Sequence, residues 1–210
     1  QTSQRELHDL NESLERRITR HGNINLAGID EFREQAERKT YLDAQFTDLT
    51  EALETLEMPL LDFGTEEQKR NYLHRMCSGS LIGGNAMTEP SSGSDAYSLR
   101  TAAKRHGDRY FLNGSKTFDS NGNVGDLIIV YATVDRSKGP NGVSGFLVEK
   151  GFPGLKIGRP LEKMGLRTSP MAELFFEDCE VPVENLLGRE GNGKNLFTHS
   201  MNWERSCFLA

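Results

Sequence analysis

Apolar residues recur every three or four positions near both ends of the chain. Two such stretches, LHDLNESLERRI (7–18) and TDLTEALETLEM (47–58), predict amphipathic helices in the first 80 residues. A third predicted helix follows in GTEEQKRNYLHRM, with Thr65 as its N-cap. Gln68 lies three residues later and completes the pattern of a capping box. Residues 1–80 are therefore expected to form a helical region.

The pattern changes to short runs of β-branched and aromatic residues between residues 81 and 185. RYFLNGSKTF predicts a hairpin that turns at Asn113–Gly114, and DLIIVYATV reads as a continuous apolar strand. Further short strands are expected in GFLVEK, LKIG and ELFFEDCEVP. Several strands at this spacing favour a small sandwich or barrel.

Helical spacing returns in residues 186–210, after the glycines of GNG (191–193). The predicted class is therefore α+β, with an N-terminal helical region (1–80), a middle β domain (81–185) and the start of a C-terminal helical domain (186–210). The last pattern stops without a C-cap signal, so we expect the natural protein to be longer.

Net charge, the length of apolar runs and the spacing of cysteines argue against several classes of partner and site. The net charge is −6 and no basic block is present, which argues against nucleic acid. No apolar run approaches the roughly 20 residues of a membrane span. Cys77, Cys179 and Cys207 are widely spaced and include no CxxC pair. We interpret them as reduced thiols of a cytosolic protein and expect no metal site.

The stretch AMTEPSSGSD (86–95) collects hydroxyl and carboxylate side chains around Pro90 and Gly93. Backbone N–H groups and short hydroxyls in such a turn can hold phosphates and a polar ring edge without a lysine. The alternative is an ordinary serine-rich surface loop.

Six blocks of the chain, in this order, are similar to the acyl-CoA dehydrogenase family: PLLDFGTEEQKRNYL, AMTEPSSGSD, LNGSKTFDSNG, GFLVEKGFPGLKIGRPLEKMGLRTSP, LFFEDCEVPVENLLG and GNGKNLFTHSMNWERSCFLA. The resemblance covers residues 58–210 well and 1–57 poorly. It implies an N-terminal helical domain, a middle β-barrel and a C-terminal four-helix bundle, usually assembled as a tetramer that holds FAD.

The resemblance also assigns cofactor-binding positions. Met87 and Thr88 match residues at the flavin ring edge, and Ser94 matches a serine near the FAD pyrophosphate that we also expect near the substrate. Phe118 occupies the place of a large aromatic residue, often Trp, beside the ring, and Ser120 that of a hydroxyl residue that bonds the ring. On an alternating strand both face one side and Asp119 the other. Asp119 replaces a commonly apolar residue and has no assigned role.

A carboxylate in an apolar setting suits removal of an α-proton, because desolvation raises its pKa. Glu204 lies on the predicted apolar stripe, seven residues after Phe197 and four before Phe208. It matches the base of the minority of family members that resemble isovaleryl-CoA and long-chain acyl-CoA dehydrogenases, and Arg205 matches a residue near the CoA portion. Alternatively, Glu204 forms a structural ion pair while the base lies beyond residue 210.

The resemblance implies FAD-dependent α,β-dehydrogenation of an acyl thioester carried by CoA or an acyl carrier protein. An electron-transfer flavoprotein, a homo-oligomer (dimer or tetramer) and a cytoplasmic or mitochondrial-matrix location are expected with it. Two other readings stay open. One is a flavin monooxygenase or acyl-CoA oxidase of the same fold, and the other is a non-catalytic relative.

Overall fold

The computed structural model describes Glu12, residues 35–39 and residues 59–208, and the chain divides into units 1–44 and 45–210. In the first unit, Glu12 and residues 35–39 are helical. The predicted helix over 47–58 lies outside the described residues, as does the predicted helix over 7–18 apart from Glu12.

Helix α1 (Glu66–Cys77) begins with the predicted capping box. The Gln68 backbone N–H donates to Thr65 Oγ1 (3.2 Å), and Gln68 Oε1 accepts from the Thr65 backbone N–H (2.9 Å). The Gln68 amide also donates to the carbonyls of Glu184 (2.6 Å) and Leu186 (3.0 Å). One side chain thus both caps the helix and ties it to the far end of the sheet.

Eight strands form one mixed sheet in the order β6-β7-β3-β2-β4-β5-β8, and β1 pairs in parallel with the first four residues of β4. The strands are β1 (Gly83–Ala86), β2 (Ala102–His106), β3 (Arg109–Ser120), β4 (Leu127–Thr133), β5 (Val143–Glu149), β6 (Leu155–Ile157), β7 (Met171–Pro182) and β8 (Leu186–Leu187). The sheet is not closed. The α+β class is confirmed, whereas a closed barrel is not.

The predicted hairpin turn at Asn113–Gly114 is wrong. Strand β3 runs unbroken through both residues, and the chain instead reverses at residues 107–108, between β2 and β3. Gly114 has φ +151° and lies at a register shift against β7. A Cβ atom there would lie 2.5 Å from Thr101 Oγ1, so this glycine permits a close backbone approach.

Strand β4 is buried along its whole length and supplies both hydrophobic cores. Successive side chains of a strand point to opposite faces. Leu127, Ile129 and Tyr131 accordingly join one cluster, and the residues between them join the other. The first cluster also contains Met87, Leu99 and Leu196. It therefore joins Met87, at the start of the hydroxyl-rich turn (residues 86–95), and Leu99, four residues after that turn, to the last helix.

Helix α2 (Gly193–Phe208) packs on this first cluster through Leu196. The Phe197 ring meets the rings of Tyr97 (6.0 Å) and Tyr131 (5.6 Å) edge-on. Tyr97 belongs to the short 3-10 turn Ala96–Ser98 that follows the hydroxyl-rich turn. The first turns of α2 are thereby held against the exit of that turn. Within the described residues, no helix is long and apolar enough to cross a membrane.

Candidate functional site

The hydroxyl-rich turn leaves β1 and closes on itself at once. The backbone of Glu89 exchanges two hydrogen bonds with that of Ser92, at 2.9 and 3.1 Å, and Ser92 Oγ donates to the carbonyl of Asp95 (2.6 Å). The Ser98 hydroxyl donates to the Asp95 carboxylate. Ser94 stays exposed at the tip of the turn. The local bonds therefore fix the backbone and leave the Ser94 side chain facing solvent.

A buried ion pair lies beneath the turn. Lys116 Nζ is 2.9 Å from Glu89 Oε1, and the two side chains are 0% and 3% exposed. The same ammonium donates to the Met87 carbonyl at 3.0 Å. The Glu89 carboxylate also accepts from the backbone N–H groups of Arg100 (2.6 Å) and Thr101 (2.9 Å). Both buried charges therefore have directed partners, as burial of charge requires.

Burial and ion pairing shift the pKa of each partner in opposite directions. Burial alone would raise the pKa of Glu89, but the Lys116 ammonium and the N–H donors hold that pKa below its usual range. Burial lowers the pKa of Lys116, and Glu89 opposes that shift. Removing one partner would leave an uncompensated buried charge, at a cost of about 3–5 kcal/mol.

The end of β3 meets the turn directly. The Thr117 backbone N–H donates to the Thr88 carbonyl at 2.9 Å. The next residues alternate as predicted, with Phe118 and Ser120 exposed and Asp119 buried. A Cβ atom on Gly84 would lie 3.3 Å from the Ser120 carbonyl oxygen, so β1 lies alongside this end of β3. Met87, Thr88, Phe118 and Ser120 thus belong to adjoining backbone segments.

Phe118 is a conformational outlier. Its φ is +60°, in the left-handed region, and its side chain is 64% exposed. A left-handed backbone costs a non-glycine residue roughly 1–2 kcal/mol. Asn121, which follows β3, has φ +62°. Its Nδ2 atom donates to the carbonyl of Gly83 (3.1 Å) and so ties this end of β3 to the start of β1. A strained and exposed aromatic residue of this kind points to a binding role.

Asp119 follows Phe118 in the chain and is 3% exposed. Its Oδ2 atom has no hydrogen-bond partner among the described residues. Burial raises the pKa of this carboxyl to about 8, with Lys116 opposing the shift and Glu173 adding to it. The side chain is therefore mostly protonated at neutral pH. The sequence marked this position as unusual without giving it a role.

Glu204 and Arg205 lie in the second half of α2. Arg205 is exposed, and the Glu204 side chain lies outside what the structure describes. The predicted apolar stripe is confirmed at Leu196 and Phe197, which pack on the first core cluster. That the Glu204 side chain faces the exposed ring of Phe118 stays a prediction.

Sequence reasoning missed Glu89 and Lys116. The signal for Lys116 was its alternation with Tyr110 and Leu112, both buried on β3, because a lysine in phase with two inward residues needs a buried partner. Glu89 gave no comparable signal, since an acid among serines and a proline reads as an exposed turn residue.

Comparison with known proteins places this geometry in a family. Residues 84–179 match the family model "Acyl-CoA dehydrogenase, middle domain", so the resemblance drawn from the motifs is confirmed. The L-prolyl-[peptidyl-carrier protein] dehydrogenase of Pseudomonas fluorescens is 45% identical over 154 residues, covering 73% of this chain and 40% of that protein.

Two further matches agree. The short-chain specific acyl-CoA dehydrogenase of Clostridium acetobutylicum is 48% identical over 132 residues, which cover 63% of this chain and 35% of that protein. The solved structure of PigA with FAD and proline superposes with a TM-score of 0.77 at 38% identity, covering 79% of this chain and 44% of that one. The chain thus spans about two fifths of the length of the proteins it matches.

The raised pKa of Asp119 predicts how stability depends on pH. The ordinary pKa is 3.8 and the folded value is about 8, so as pH rises the unfolded chain releases this proton first. The free energy of unfolding therefore falls between about pH 4 and pH 8. Asp119→Asn should remove this part of the slope, with the largest gain over wild type near pH 8 and a constant difference below about pH 4.

Urea denaturation across that pH range measures the effect, and Asp108→Asn, at an exposed turn residue, is the matched control. Parallel profiles for wild type and Asp119→Asn would contradict the assignment.

Proposed function

Residues 84–179 belong to the acyl-CoA dehydrogenase middle-domain family, and from this membership we propose that the whole protein is an FAD-dependent dehydrogenase of acyl thioesters. It would convert the Cα–Cβ single bond of the acyl group into the double bond of an enoyl thioester. The observation that carries the proposal is the Thr117–Thr88 backbone hydrogen bond, which joins the hydroxyl-rich turn to the end of β3, where Phe118 is exposed.

The residues at this junction fit a flavin. Phe118 offers an exposed apolar ring to the flat isoalloxazine, and the exposed Ser120 lies beside it. The partly exposed Thr88 adds a second hydroxyl for the polar ring edge. The exposed Ser94 hydroxyl is available to the pyrophosphate. We therefore propose that the side chains of Phe118, Ser120, Thr88 and Ser94 hold FAD, while Met87, whose side chain is buried in the first core cluster, is proposed to line the site through its backbone.

Bound FAD supplies an acceptor for the hydride that leaves the β-carbon. The chain's own contribution is the base. We propose that a carboxylate oxygen of Glu204 takes the α-proton, because helix α2 begins against the exit of the cofactor turn and Glu204 lies two turns beyond Phe197.

The substrate is proposed as an acyl group on CoA or on a carrier protein, since one relative is named for a peptidyl-carrier protein and another for acyl-CoA. The reacting end is the same in both. Arg205 is exposed and one residue from Glu204, so we assign it to the carrier portion of the substrate. Ser94 is also assigned to substrate binding.

The rest of the proposal concerns assembly. Residues 81–185 would be the middle, barrel-type domain between a helical region (1–80) and a helical bundle that starts at 186. The whole protein would form a homo-oligomer, a dimer or a tetramer, and an electron-transfer flavoprotein would reoxidise it. The cytoplasm, or the mitochondrial matrix in a eukaryote, is the proposed compartment.

The cofactor assignment predicts a selective effect of Phe118→Ala. Because this side chain is 64% exposed, its removal should weaken FAD binding by about tenfold or more while costing little stability. Phe111→Ala is the matched control on the same strand, since Phe111 is half-buried against His106 near the opposite end of β3. It should lower the midpoint of thermal unfolding without changing FAD affinity. Equal FAD binding by both variants would remove Phe118 from the site.

The catalytic assignment predicts that Glu204→Gln keeps bound FAD and loses turnover about a hundredfold or more, because the amide cannot accept the α-proton. The measurement is anaerobic titration with CoA-bound and carrier-bound acyl thioesters, following the visible flavin absorbance. Glu67→Gln, at an exposed acid on α1, is the control. Near-normal absorbance loss in Glu204→Gln would discard the role. Oxygen uptake with a hydroxylated product would favour the monooxygenase reading instead.

A further inference from the structure

Three contacts join two short segments that are 27 residues apart along the chain. Lys116 Nζ donates to the Met87 carbonyl and to the Glu89 carboxylate, and the Thr117 N–H donates to the Thr88 carbonyl between them. Three consecutive residues of the turn are therefore hydrogen-bonded to two consecutive residues of β3. We propose that Lys116 and Glu89 are positioning residues that set Thr88 against the Phe118 surface, an inference that rests on the proposed function.

Glu89 also connects the turn to the segment that follows it. Its two carboxylate oxygens accept from the backbone N–H groups of Arg100 and Thr101, five and six residues after the turn. The Thr101 carbonyl accepts from the backbone N–H of Thr133 at 2.8 Å, on the fully buried strand β4. Through Thr101, Glu89 therefore connects the turn to the centre of the sheet.

The ion pair fixes the position of the turn through directional hydrogen bonds, which an apolar contact of equal volume could not make. Replacing a buried pair by apolar side chains is often neutral or stabilising, so the pair is poorly explained by stability alone. Its hydrogen bonds are directional, however, and an error of a few tenths of an ångström at Met87 or Glu89 would move Thr88 relative to Phe118. The expected role of Lys116 and Glu89 is therefore placement of the Thr88 carbonyl and hydroxyl.

The test separates positioning from stability. Lys116→Met alone would leave the Glu89 carboxylate buried without its counter-charge and should destabilise the fold. The informative variant is the double substitution Lys116→Met with Glu89→Gln, which removes both charges and keeps similar volumes. The amide oxygen can still accept from the Thr101 N–H, whereas the Arg100 N–H and the Met87 carbonyl lose their partners. The matched control is Lys156→Met with Glu177→Gln, which removes the exposed pair between β6 and β7, with side chains 62% and 64% exposed.

Three quantities are measured on each protein: the free energy of unfolding in urea without flavin, the dissociation constant for FAD, and hydrogen exchange at the Thr117 amide without flavin. The double variant should unfold at a lower urea concentration than wild type, because two backbone groups lose their partners, but at a higher one than Lys116→Met alone. Measured without urea, where it is still folded, it should bind FAD about tenfold or more weakly, with faster exchange at Thr117. The control pair should leave all three quantities at wild-type values.

Unchanged FAD affinity in the Lys116–Glu89 double variant would overturn the inference, as would an affinity loss that only follows a loss of stability. A double variant that does not fold would also overturn it, because the pair would then be required for folding itself. Wild-type protein that fails to bind FAD would overturn the proposed function and this inference together. That result is distinct from the others because it requires no variant.

Discussion

A lysine ammonium without solvent exposure holds the turn after β1 against the end of β3. Lys116 and Glu89 are buried together, and between them they engage the Met87 carbonyl and the backbone N–H groups of Arg100 and Thr101. Each charge is tolerable only because the other and its hydrogen bonds are present. The position of the hydroxyl-rich turn depends on this pair, and every proposed role for the turn depends on that position.

The sheet topology makes the pair possible. Strand β1 lies in parallel beside β4, and its Gly84 lies next to Ser120 at the end of β3. The turn that leaves β1 therefore runs along the last residues of β3, where Thr88 bonds Thr117. The left-handed backbone at Phe118 then presents its ring to solvent instead of the core, while Asp119 takes the buried place. A strained residue and a buried carboxyl with one oxygen that has no hydrogen-bond partner among the described residues lie at neighbouring positions, and a binding surface can explain both costs.

Part of this structure could be predicted from the chain, and the rest could not, for identifiable reasons. The capping box at Thr65 and Gln68 was predictable because both bonds are local, and β4 because a long apolar run has few alternatives. The course of β3 through Asn113–Gly114 was not, because Gly114 is required there by the close approach of Thr101, 13 residues earlier. The alternation of Lys116 with buried residues was a local signal, but its partner Glu89 gave none, so the pairing could not be predicted. The motifs gave the family and the candidate cofactor residues, but the ion pair that positions them appeared only in three dimensions.

The hydroxyl-rich turn and the end of β3 are proposed to bind one flavin together, with Glu204 on the neighbouring helix α2. A crystal structure of the protein with FAD would show whether they do. We expect the isoalloxazine against Phe118, its polar edge at Thr88 and Ser120, and the pyrophosphate at Ser94, with the Glu204 carboxylate on the other side of the bound substrate. A flavin bound elsewhere, with Thr88 and Ser120 exposed to solvent and Glu204 directed away from it, would refute this arrangement.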